Sequence, residues 1–107
     1  MDRISLCELV EWRAAGRAFT LIDVRRDTVR RADGTDIPGA AWRDPEQLFT
    51  WKDAVPRDRP VVFVCAHGHE ISQGEAGTLR AMGLDARYLI DGFAGWKAAG
   101  QPVQLIG

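Results

Sequence analysis

Short apolar runs alternate with amphipathic stretches along the whole chain. Ser5-Leu6-Cys7-Glu8 has the form of a capping box, in which a serine oxygen and a glutamate three residues on satisfy each other's backbone N–H groups. Leu6, Leu9, Val10 and Arg13 follow at helical spacing, and Gly16 marks a stop, which predicts a helix over about residues 6–15. Cys7 falls beside its apolar face and is expected to be a small buried hydrophobe rather than a redox group. Phe19 to Val24 is a short apolar run, too short for a helix, and reads as a buried strand. Arg25 to Gly34 is highly charged without clear periodicity, so a solvated loop with at most a helical turn is expected. Its four arginines are interleaved with aspartates, which weakens any attraction for an anion.

The second half repeats the alternation. Ile37-Pro38-Gly39-Ala40 is turn chemistry, and Ala41-Trp42 reads as a short strand leaving it. Asp44 suits a helix N-cap and Pro45 the first helical position, with the helix continuing through Leu48, Phe49, Trp51 and Lys52 toward Pro56. Trp42, Phe49 and Trp51 are expected in the core or at its rim. Val61–Val64 is a strand, and Ser72 to Gly83 a helix with Ile71, Ala76, Leu79 and Met82 inward and Gly83 just past its end. Gly74 and Gly77 weaken that helix by roughly 1 kcal/mol each relative to Ala, and are expected to let it pack closely on the sheet. Ala86–Ile90 is a strand, Asp91-Gly92 a turn, and Phe93 to Ala99 a last helix carrying Trp96. Gly100 ends it, and an apolar tail follows. Strands alternating with helices predict an α/β domain with a mostly parallel sheet.

Composition bounds the function. A chain of 107 residues is expected to form one domain over 1–107. Its 14 basic and 15 acidic residues leave no large basic field, and the aromatics are not interleaved with basic residues, so no nucleic-acid partner is expected. No apolar stretch approaches the ~20 residues that span a bilayer, and the N-terminus lacks a signal-peptide pattern, so no membrane association is expected. Two cysteines, Cys7 and Cys65, are too few for a disulfide framework. They fit a reducing compartment, and the expected location is cytoplasmic.

One stretch concentrates the chemistry. Val61–Val64 runs into Cys65, a polar loop with Gly68 follows, and then a helix beginning near Ser72. That order places a thiol at the carboxyl end of a buried strand, with helical and loop N–H groups turned back toward it, which stabilises a thiolate and makes it a nucleophile. Cys65 is the candidate catalytic residue, and Ala66, His67, Gly68, His69, Glu70, Ile71 and Ser72 form the candidate substrate-binding loop. His67 and His69, if protonated, would attract an anionic donor. Glu70 would repel one unless turned away or paired, which points toward a neutral or thiol-type substrate. Cys-x-His-x-His packs three ligands into five residues with no further Cys or His nearby, so no metal site is expected.

The chain resembles a single-domain rhodanese, a thiosulfate sulfurtransferase-like module. The match is carried, in the family's order, by Leu21-Ile22-Asp23-Val24-Arg25, by Ile37-Pro38-Gly39-Ala40, by Val61 to Cys65 with Gly68, and by Leu89 through Gly92 to Trp96. Lys97 to Val103 also looks like the family's usual ending. The resemblance implies a rhodanese-like five-stranded, mostly parallel sheet with helices on both faces. It implies that Cys65 takes sulfane sulfur from a small-molecule donor such as thiosulfate, becomes a persulfide, and yields the sulfur to a thiol, cyanide or a protein acceptor, without metal or organic cofactor. Asp36 replaces the family's His before Ile-Pro-Gly-Ala, and Asp91 replaces the first Gly of the last turn. Gly83 lies 18 residues after Cys65, about one more than the family pattern, and the extra residue is expected in the active loop or, alternatively, in an irregularity of the helix that follows. A longer loop resembles rhodanese-like phosphatases and arsenate reductases, but these carry Arg six positions after the cysteine, where this chain has Ile71. A persulfide carrier or redox-sensing module serving a protein partner is the other alternative. Asp23 and Arg25 are read as structural, with Arg25 paired to a nearby carboxylate such as Asp27 or Asp36, and Trp96 as core.

Overall fold

The computed structural model describes residues 2–106. In chain order the strands are β1 (Arg3–Ile4), β2 (Thr20–Asp23), β3 (Thr35–Asp36), β4 (Ala41–Trp42), β5 (Val61–Val64), β6 (Ala86–Leu89) and β7 (Gln104–Leu105). The helices are α1 (Leu6–Ala14), α2 (Asp27–Asp33), α3 (Leu48–Trp51), α4 (Glu70–Ala81) and α5 (Gly92–Ala98). Five strands form the main sheet in the order β1-β6-β5-β2-β4, and every neighbouring pair is parallel. This is the expected α/β architecture.

Strand β5 lies at the centre, and all four of its residues are fully buried. Residues buried on both faces read as a continuous apolar run, which is why Val61–Val64 shows no polar alternation. Their side chains still divide by period two. Val61, Phe63 and Cys65 join a cluster with Ile22, Leu48, Trp51, Ala76 and Leu79, the side covered by α3 and α4. Val62 and Val64 join Leu9, Leu21, Phe93 and Trp96, the side covered by α1 and α5. Cys65 thus continues the strand's alternation and turns its thiol toward α4. Trp96 is core, as expected, and its indole N–H donates to the Pro102 carbonyl at 2.8 Å.

The start of α1 follows its capping box: Ser5 Oγ accepts from the Glu8 N–H at 3.1 Å, and Glu8 Oε1 accepts from the Ser5 N–H at 3.4 Å. Cys7, however, is exposed rather than buried. The inward stripe runs through Leu9, with Leu6 and Val10 beside it, and Cys7 falls off that arc. The charged segment after β2 is not a loop but the seven-residue α2. None of its residues is buried. Local charge favours it instead: Asp27 in the first turn, Arg30 and Arg31 in the last, and an Asp27–Arg31 pair at 2.8 Å. Gly34, at φ +82°, closes it.

The stretch after Asp44 is shorter in helix than expected. Asp44 caps as predicted, accepting from the Glu46 N–H at 3.0 Å, but a 3-10 turn precedes the four-residue α3 and another follows it. Trp51 is buried, while Phe49 is 78% exposed and packs neither in core nor rim. Gly74 and Gly77 do not serve close packing on the sheet. A Cβ at Gly74 would meet nothing within 4 Å, and one at Gly77 only the end of the Arg80 side chain. The two-residue strand β1 and the antiparallel pair β3–β7 were not anticipated, since two residues carry no readable period.

Candidate active site

Two backbone contacts fix where the loop after β5 goes. The Phe93 and Ala94 N–H groups of α5 donate to the Cys65 and Ala66 carbonyls, at 2.8 and 2.9 Å. The loop is pressed so closely on the β6–α5 turn that side chains are excluded at two points. A Cβ at Gly68 would lie 2.7 Å from the Leu89 carbonyl oxygen, and one at Gly92 would lie 2.3 Å from the Cys65 carbonyl oxygen. Both glycines have positive φ, +73° and +57°. Asp91, immediately before Gly92, is at φ +64°, a left-handed conformation that Asp tolerates better than most residues.

The first turn of α4 completes the site. It begins at Glu70, two residues before the predicted start, so Ser72 is in helix rather than at its cap. Cys65 and Ser72 are both buried, and Cys65 Sγ lies 3.0 Å from Ser72 Oγ. A hydroxyl at that distance can donate to a thiolate or accept from a thiol. Gln73 Nε2 donates to the Gly68 carbonyl at 2.9 Å and ties the loop's midpoint to the same helix. With the carbonyls of Cys65, Ala66 and Gly68 engaged, the N–H groups of Ala66 to Ser72 donate to no protein acceptor among the described residues. A loop whose carbonyls are bonded away and whose N–H groups are free is suited to negative charge.

Cys65, Ala66, His67, His69, Glu70 and Ile71 line one cavity of about 450 Å³, together with Arg26. The structure therefore brings most of the sequence-predicted loop to one opening. Gly68 and Ser72 lie behind it, buried, as support. His67 and His69 are exposed, with ring centroids 6.4 Å apart. Arg26 was not singled out as a site residue in the sequence. It is exposed, sits at the N-cap of α2, and supplies a guanidinium at the mouth where position 71 offers only an isoleucine. The only sequence signal for it was its place just after a buried strand end. A second cavity, about 470 Å³, lies on the far side of Ala66 and His67 among Val29, Phe93, Ala94 and Lys97, and Cys65 is not in its wall. Among the described residues no group of three His, Cys, Asp or Glu side chains is placed to hold a metal ion.

Asp23 and Arg25 are structural, but the pairing differs from expectation. Arg25 bonds Asp23 itself, Nη2 to Oδ2 at 2.7 Å and Nε to both oxygens at 3.0 Å. Arg30 and Arg31 take Asp27, and Arg30 also reaches Asp36. Asp23 and Arg25 flank Val24 on one side of β2's end, and alternation alone brings them together.

A model of the Rhodanese-like domain family matches residues 6–99. Among solved structures, a rhodanese-related protein from Thermoplasma volcanium superposes with a TM-score of 0.85 at 24% identity, over 99% of this chain and 100% of that one. A rhodanese-like domain protein from Staphylococcus aureus superposes with a TM-score of 0.82 at 22% identity over 100% of both chains. A Rhodopseudomonas palustris protein of unknown function, described as a possible tyrosine phosphatase, gives a TM-score of 0.83 at 26% identity, over 97% of this chain and 85% of that one.

Proposed function

This chain belongs to the rhodanese-like family, and from that membership and the Cys65 loop we propose a sulfurtransferase that carries sulfane sulfur on Cys65. The Cys65 thiolate attacks the outer sulfur of a donor such as thiosulfate. The bond between that sulfur and the sulfite group breaks, sulfite leaves with the electron pair, and Cys65 holds a persulfide. An acceptor thiolate or cyanide then attacks the terminal sulfur, and the Cys65 thiolate departs as leaving group. Each state of this cycle carries negative charge at the loop. The free N–H groups of Ala66 to Ser72 are the observation that carries the reading, and Ser72 Oγ at 3.0 Å adds a donor to the sulfur. Arg26 at the mouth favours an anionic donor. Two free thiols suit a reducing, cytoplasmic setting.

Intact mass after incubation with thiosulfate tests the proposal. One added sulfur atom is expected, removed by cyanide and absent in Cys65→Ser. No adduct with thiosulfate, mercaptopyruvate or polysulfide sinks it. Fast discharge to one protein partner with little to small thiols would make the chain a carrier rather than a free-standing transferase. The Rhodopseudomonas palustris relative raises a phosphatase reading. Ile71 in the cavity wall counts against it, since a phosphoryl group wants a bidentate cation there. Hydrolysis of an aryl phosphate that depends on Cys65 would favour it instead.

A further inference from the structure

Two cavities meet at the rim of the Cys65 loop. One, about 450 Å³, has Cys65 in its wall, and the other, about 370 Å³, lies over α4 and has Glu75 in its wall. Arg26, Glu70 and Ile71 line both, so the two are adjoining compartments. Their charge differs. Three carboxylates, Glu46, Glu70 and Glu75, line the second against a single guanidinium, Arg26. None of these four side chains forms an ion pair among the described residues.

Glu75 is the unusual member. It is 8% exposed, and its Oε2 atom has no hydrogen-bond partner among the described residues. A carboxyl taken out of water without a partner is costly to keep charged, and burial pushes its pKa up to about 7. Gly74 beside it keeps the compartment open, since a Cβ there would meet nothing within 4 Å. The carboxylates are not gathered closely enough to grip a metal ion, so their spread suits an organic cation.

We propose that this acidic compartment binds the ammonium end of a small aminothiol whose sulfur exchanges with Cys65, any carboxylate on that thiol meeting Arg26. The assignment rests on the sulfur-carrier reading and names its acceptor class. The aminothiol's thiolate attacks the terminal sulfur of the Cys65 persulfide. A new S–S bond forms, the bond to Sγ breaks, and its electron pair stays on Cys65, so charge and atoms balance without a further reactant. This gives Glu70 a purpose that thiosulfate alone does not: it stands where the sulfur and ammonium ends of one ligand would be divided.

The test loads the protein with thiosulfate, confirms the persulfide by mass, and measures discharge to cysteamine, 2-mercaptoethanol and 3-mercaptopropionate, each rate corrected for that thiol's thiolate fraction. Cysteamine is expected to discharge Cys65 about tenfold faster than 2-mercaptoethanol, the scale of one charge-assisted hydrogen bond, and faster than 3-mercaptopropionate, which lacks the ammonium. Glu75→Gln or Glu70→Gln is expected to bring the ratio of the first two toward unity. Loss of the preference in either variant supports the assignment. Equal rates in the wild type, or a preference unchanged in every variant that folds, overturn it. Exposed Glu70 keeps the test decisive if Glu75→Gln does not fold. A protein that never loads sulfur removes the sulfur-carrier reading itself, whereas one that loads and shows no preference removes this inference alone.

Discussion

Arg25 and Arg26 are consecutive, yet they lie in opposite kinds of environment. Arg25 is 1% exposed. Its guanidinium grips Asp23, donates to the Thr35 carbonyl at 2.9 Å, and lies 3.9 Å from the Phe93 ring centre, while its own carbonyl accepts from the Trp42 indole at 2.8 Å. Every group but Nη1 is spent on joining β2 to β3, β4 and α5. Arg26 is exposed, makes no ion pair among the described residues, and faces the Cys65 cavity alongside Glu70. Charges closed on one another hold the frame. Charges left open around Cys65 and Glu75 are available to something that binds. Removing a closed charge should therefore cost stability, and removing an open one should cost little stability or even add some.

The largest effect is expected at Arg25→Met, which leaves Asp23 buried and unpaired. Urea unfolding should show a loss of about 3–5 kcal/mol. Gly92→Ala comes next. It places a Cβ against the Cys65 carbonyl and a non-glycine residue at φ +57°, and a loss of about 2–3 kcal/mol is expected together with slower sulfur loading. Glu75→Gln should act in the opposite direction and only at the right pH. The carboxyl's folded value of about 7 lies above its ordinary 4.5. Below pH 4.5 it is protonated whether folded or not, and nothing is lost. Above pH 7 folding must bury the charge, and that penalty is complete. Arg26, Glu46 and Glu70 face it across the cavity, and none is paired with it. The amide should therefore stabilise the fold by about 1–3 kcal/mol at pH 8, several degrees in Tm, and by almost nothing at pH 4, read by thermal melts. The smallest effect is expected at Arg26→Ala: stability within about 0.5 kcal/mol of wild type, with loading from thiosulfate slowed about two- to fivefold at low salt. A large stability loss at Arg26, or none at Arg25, would erase the contrast.

Most of the frame was legible because it rests on local pattern. The Val61–Val64 run, the capping box at Ser5 and the punctuation by Gly16, Gly83 and Gly100 each encode their element within a few residues. Helix α2 escaped because its support is charge pairing at i,i+4, which looks like a solvated loop when apolar periodicity is the guide. Cys7 escaped because a residue at the edge of an apolar arc turns either way by a fraction of a turn. At the site, Cys65 and its loop were visible as strand, thiol, glycine and helix in sequence. That Arg25's carboxylate is Asp23, not Asp27 or Asp36, was not legible because charge spacing alone does not favour a contact two residues apart on a strand over a loop pairing.

The sequence by itself determined the α/β order, the candidate nucleophile and the loop that surrounds it, since these depend on residues close together in the chain. Tertiary structure alone decided which groups gather around Cys65 and which charges there stay open. Ser72 meets the Cys65 sulfur because α4 packs on the face to which β5's alternation turns that thiol. Arg26 reaches the same cavity because β2 lies beside β5 in the sheet, and Glu75 Oε2 has no partner among the described residues because the elements around it bring none within reach. Such facts depend on how distant segments pack, and no local pattern encodes them.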